Sequence, residues 1–218
     1  MRVALVLLAF AFASGAAPAQ VRVAVDAVGG VTLNQLGNQN QVTVLGQTIP
    51  GFQARYPLSA GASGGLRMRA GTERLALRLG AGAFTTGSVF DVTSVLAGRD
   101  DLSLTLASGT LELELGERLG PVHVYAFGGP ELRVRLGEAE GGGPLRLGDV
   151  DRYQAALGIG SGVRFRLAGL ELGPEVRGAF GLGTFSDDRF EFGPLDLAVD
   201  EGFTLDNLTV QFAVGRRL

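Results

Sequence analysis

Cysteine, tryptophan and lysine are absent from the 218 residues, and histidine occurs once. The lack of cysteine excludes a disulfide scaffold, thiol chemistry, cysteine-held zinc and a lipoprotein anchor. The single histidine, His123, excludes a multi-histidine metal centre and leaves a histidine-dependent catalyst one candidate. Beyond the N-terminus, no stretch reaches the ~18 uninterrupted apolar residues of a membrane helix. What is present is as selective. Glycine supplies 35 residues and mean hydropathy is +0.26, which fits neither a disordered chain nor a helical bundle. All 19 basic residues are arginine, set against 22 acids, a balance that gives no reason to expect nucleic-acid binding.

Met1-Arg2 is a minimal basic start, and Val3 to Ser14 is an apolar run too short to span a bilayer comfortably. Ala17-Pro18-Ala19 then forms a small-x-small cleavage site before Gln20. Residues 1–19 read as a cleaved secretory signal peptide and residues 20–218 as one domain. No internal repeat or linker divides the latter.

The positive hydropathy is carried by alternation. Val122, Val124, Ala126, Leu132, Val134 and Leu136 share one parity, while His123, Tyr125, Phe127, Glu131, Arg133 and Arg135 share the other. That is the period of a strand. The same pattern marks eight strands, near 21–29, 57–69, 73–85, 102–116, 121–137, 151–167, 169–182 and 206–217. In the fourth, Leu102, Leu104 and Leu106 are even and Leu111, Leu113 and Leu115 odd, so a β-bulge is expected at Ser108-Gly109. Connections alternate long and short. Antiparallel neighbours then put four long loops at one end and three short turns at the other, the layout of an outer-membrane barrel.

A soluble barrel alternates too, so the polar parity must decide the facing. It is crowded with small residues such as Gly80, Gly82, Gly158, Gly160 and Gly162, which suit a narrow interior better than a wet surface. The Gly-x-Gly-x-Gly run lies mid-strand with no helix after it, so it is read as lumen packing and not as a nucleotide loop. The same parity carries both charge signs at similar depth. Arg67, Arg69, Arg74, Arg78, Glu112, Glu114, Glu131, Arg133, Arg135, Arg164, Arg166, Glu171, Glu175 and Arg177 are the expected lumen charge network, with Arg166 facing Glu171 across a hairpin. The expected fold is all-β: an eight-stranded antiparallel up-and-down transmembrane β-barrel following the signal peptide.

On these features the chain resembles the eight-stranded outer-membrane β-barrel family, the porin-like or OmpA/OmpX-like membrane domains. The resemblance implies residence in the outer membrane of a Gram-negative envelope, in contact with its lipid. It also implies recognition of the last strand by the barrel-assembly machinery. Leu208, Val210, Phe212, Val214 and Leu218 match that strand's alternation, although Arg216 interrupts it and Leu218 stands where the family has a terminal aromatic. Tyr56, Tyr153 and Phe180 mark the expected loop-side aromatic rim, and Phe165 the turn side.

The expected function is that of a non-catalytic barrel whose lumen is largely filled by Arg and Glu, with surface loops that contact an extracellular ligand or maintain the envelope. A narrow ion- or small-solute-conducting porin is the alternative. A soluble periplasmic barrel binding an apolar ligand is a further one, and it requires the Leu/Val parity to face inward. No cofactor is expected. Asp187, Asp188 and Glu191, in an acidic loop, are weak candidate cation ligands without EF-hand spacing. Lipid-modifying barrels place a histidine near the outer rim. His123 falls at the short-turn, periplasmic rim, so it is read as structural.

Overall fold

The computed structural model describes residues 21–37, 52–55, 57–94, 98–136, 140–141, 145–146, 153–183, 190–192, 197–199 and 204–218. The signal peptide, Tyr56, Asp187 and Asp188 lie outside them, as does the side chain of Glu191.

Eight long strands form the wall: β1 (Arg22–Gly37), β2 (Ser59–Gly71), β3 (Leu75–Ser94), β4 (Gly98–Leu119), β5 (Val122–Arg135), β6 (Tyr153–Leu167), β7 (Leu170–Gly181) and β8 (Thr204–Arg217). Each pairs antiparallel with its chain neighbours, and β1 pairs with β8, so the sheet closes on itself. Closure leaves no free edge around the eight-stranded ring. Short turns join β2 to β3 (Thr72 to Arg74), β4 to β5 (Gly120-Pro121) and β6 to β7 (Ala168-Gly169). In the last, Ala168 and Gly169 both have positive φ, 50° and 83°, as a two-residue hairpin turn following the strand twist requires.

The expected long connection between β3 and β4 is instead mostly strand. β3 continues to Ser94, and β4 begins at Gly98. The expected strand stopped near residue 85, yet the chain on either side of Gly87 stays extended. A 22-residue strand covers about 70 Å, whereas a ~25 Å apolar band crossed at a tilt of about 40° needs roughly ten residues. The β3–β4 hairpin therefore projects well past such a band on the loop side. Phe52–Arg55 pairs along it, and Glu140–Gly141 adds to β4. Three further short segments, Leu145–Arg146, Phe190–Phe192 and Leu197–Val199, form a small separate sheet from the loops. Likewise β1 runs on past Gly29-Gly30 to Gly37.

The bulge is not at Ser108-Gly109. There the register with both β3 and β5 is continuous. From Leu104 to Glu114 the even-numbered residues of β4 point inward, so Leu104 and Leu106 are buried in the lumen while Leu111, Leu113 and Leu115 face out. The irregularity sits across the ladder, between Thr85 and Phe90, where Gly87 adopts φ 64°. Interior side chains satisfy the carbonyls this frees. Thr32 Oγ1 donates to the Thr85 carbonyl at 3.2 Å, and Asn34 Nδ2 donates to that of Thr86 at 3.2 Å.

Close strand crossing makes some glycines compulsory. A Cβ on Gly173 would collide with the Val163 carbonyl oxygen and crowd the Arg164 Cα. Because the obstacle is backbone, Gly173→Ala is expected to cost about 1–3 kcal/mol, read as a lower urea midpoint of the folded barrel.

Candidate functional site

The wall has two unlike faces. Leu, Val, Ile and Phe of one parity point outward on every strand, with Leu66 64%, Ile159 60% and Val210 53% exposed. So much contiguous apolar surface far exceeds what water tolerates on a monomer, and it matches a lipid-facing band. Tyr153, Phe165 and Phe180 lie on this face near its ends. The soluble ligand-binding barrel required the reverse facing, and this arrangement contradicts it.

Inside, the turn-side half of the lumen is an ion-pair lattice. Arg67 forks onto Glu175 with two hydrogen bonds of 2.7 Å and also reaches Asp26. Arg69 bridges Asp26 and Glu171. Arg78, 1% exposed, lies 3.3–3.4 Å from Glu112, Glu114 and Glu175, with its guanidinium over Phe127. Arg164 pairs with Glu114 and covers the Tyr125 ring at 3.7 Å. Arg177 joins Glu112 to Glu131, and Arg133 takes Glu131 at 3.0 Å. Tyr125 donates to Glu175, and Gln211 Nε2 donates to it at 2.8 Å. Such a lattice is tolerable out of water because nearly every carboxylate meets more than one guanidinium.

Three expected members lie elsewhere. Arg74 is a correction: its side chain is 81% exposed beside Glu117, because it sits on a turn, where strand alternation no longer sets its direction. Arg166 is on the rim, 40% exposed, 3.3 Å from Glu171, its register partner. Arg135 is half-buried opposite Leu106, toward the loops. Asp26, Tyr125 and Gln211 belong to the lattice without having been singled out. The inward parity of Ala24 and Asp26 was the available signal for the first of these.

Above the lattice lies a cavity of about 90 Å³, reached by Ser63, Thr110, Thr209 and Phe84. Ser63 Oγ and Arg177 Nη2 are buried without a hydrogen-bond partner. A cavity of that size is roomy enough for ordered water to satisfy them. Higher still, Leu36, Phe84, Val89, Leu104, Leu106 and Leu205 are all buried inward, with Leu36 opposite Leu205 and Phe84 opposite Leu106. The loop-side lumen is thus mixed, because these apolar side chains share it with buried Thr32, Asn34, Thr86, Arg133 and Gln154, and Arg133 donates to the Leu205 carbonyl.

At the turn-side mouth, His123 Nε2 lies 2.8 Å from the Glu73 carbonyl, and its ring stacks on Tyr125. The Glu73 carboxylate receives Arg22, Arg118 and Arg217. Burial opposes its charge, but the Arg22 hydrogen bond and the charges of Arg22, Arg118 and Arg217 outweigh that and hold it below the ordinary carboxylate value. No group of three or more metal-ligating side chains occurs among the described residues.

No protein-family model matches the chain, and no curated protein sequence matches it. Solved structures do. The outer membrane protein OprG of Pseudomonas aeruginosa superposes with a TM-score of 0.55 at 14% identity, over 88% of this chain and 95% of that one. The outer membrane protein AlkL in lipid bilayers gives 0.49 at 16% identity, over 94% and 95%. Neisserial surface protein A gives 0.45 at 12% identity, over 89% and 96%. The OprG likeness shows a shared fold: the chain is an eight-stranded β-barrel of the outer-membrane type.

Proposed function

We propose that the chain is an integral outer-membrane barrel, exported through cleavage after residue 19, that performs no catalysis and works through its surface loops while its lumen stays closed. The outward apolar parity carries this reading, since it places the wall in lipid. Closure is supported by the ion-pair lattice and by the buried side chains packed over it on the loop side. The lattice obstructs a water column by pairing its charges. The side chains of Leu104, Leu106 and Leu205, packed together with buried Arg133 and Gln154, fill the lumen on the loop side. His123 holds a backbone carbonyl and an aromatic ring at the rim, which is a structural task. The last strand presents Leu208, Val210, Phe212 and Val214 outward, in the alternation expected of an assembly signal. The loops carry the contact function with an extracellular ligand or with the envelope.

Planar-bilayer recording tests closure. The expected result is heat-modifiable gel mobility of the detergent-extracted protein together with no steady conductance. Regular unitary steps would instead establish the narrow porin. Recovery in the periplasmic fraction without detergent would refute membrane residence.

A further inference from the structure

The mouth at the turn side holds a charge arrangement that closure does not explain. Arg22 of β1, Arg118 beside the β4–β5 turn, Arg166 of β6 and Arg217 of β8 converge from different sides of the rim on one atom, Oε1 of Glu73. The distances are 3.0 Å for Arg118, 3.5 Å for Arg217 and 3.9 Å for Arg166, and Arg22 is in hydrogen-bond contact. Glu171 shares Arg166 and Arg217, but it already binds Arg69. One carboxylate oxygen is a poor match for several guanidinium forks. Each fork is built to grip two oxygens at once. These side chains stay between 28% and 41% exposed, so they are open to an anion from solution.

The geometry points to a phosphate-binding site at this mouth, in which Glu73 is an internal stand-in that a soluble phosphate displaces. A tetrahedral dianion supplies an oxygen to each converging arginine, where Glu73 supplies one to all of them. The β2–β3 turn carries Glu73 over the mouth, and the His123 contact to its carbonyl positions that turn. The arginines surround the lumen axis and not the outer perimeter. A small soluble phosphate is therefore favoured over a bilayer headgroup, which would approach from the lipid side. The site depends only on the rim charges and holds whichever solvent surrounds the wall.

The test titrates the folded barrel in zwitterionic detergent with inorganic phosphate, following ³¹P line width or heat, at constant ionic strength set with chloride. Saturable binding is expected. Glu73→Gln removes the competitor and is expected to tighten binding about tenfold, and Arg118→Gln to weaken it by about as much. Absence of saturable binding, or equal affinity in the native protein and Glu73→Gln, overturns the proposal. Should Glu73→Gln fail to fold, Arg118→Gln decides alone, since its side chain is at the surface; unchanged affinity there overturns the site. A second arm adds phosphatidic acid to the micelles. Binding to that lipid without any to inorganic phosphate would overturn the soluble source.

Discussion

Glu175→Gln is expected to lower the unfolding free energy of the barrel by about 3–5 kcal/mol, the cost of leaving buried charge without its counter-ion. Glu175 is 1% exposed and is the node that Arg67, Arg78, Tyr125 and Gln211 all address. The amide keeps the shape and removes the charge. Arg67 retains Asp26, and Arg78 retains Glu112 at 3.3 Å and Glu114 at 3.4 Å, so the lattice is weakened at its centre and not dismantled. Urea titration of the protein refolded into vesicles measures the effect. A loss under about 1 kcal/mol would mean that the guanidinium groups re-pair with the remaining carboxylates or reach water.

The second large effect is on the opposite face. Ile159 lies mid-strand on β6, outward, between Gly128 of β5 and Gly178 of β7. Arginine there is expected to cost about 2–4 kcal/mol in a bilayer. The same change at Leu119, beside the short turns, is expected to cost about 0–1 kcal/mol, because the charge there reaches the interface. On a water-facing surface both would fall within about 0.5 kcal/mol. The depth dependence, read from paired urea titrations in vesicles, is therefore the sharper test of lipid contact. Equal small costs at both positions would refute a lipid-facing wall.

Strand identity and facing were legible because a two-residue period in a sheet leaves one choice per strand. What misled was the use of residue type as a marker of facing. Leu104 and Leu106 look like members of the outward set, but they are lumen residues, and a bulge invoked to turn them out is unnecessary. The true irregularity is at Gly87, just past the point near residue 85 where the expected strand ended. In the site, the hairpin pair Arg166 and Glu171 was readable because they lie five positions apart across a tight turn. The pairing of Arg67 with Glu175 spans 108 residues and arises only when the sheet curls shut. Glu73 sits in a turn, outside any periodic pattern, so nothing in its neighbourhood announced that arginines from distant strands would gather on it.

The seam between β1 and β8 has a consequence for quality control. It joins the earliest strand to the last, from Ala24 opposite Arg217 to Gly37 opposite Thr204. A chain broken anywhere before Thr204 would lack the strand that completes the ring. It would offer bare N–H and C=O rows along β1 and along its own final strand. Hydrocarbon has nothing to bond them. The bilayer therefore acts as a proofreader: it admits finished rings and leaves incomplete ones in the aqueous space, with their edges exposed to chaperones and proteases.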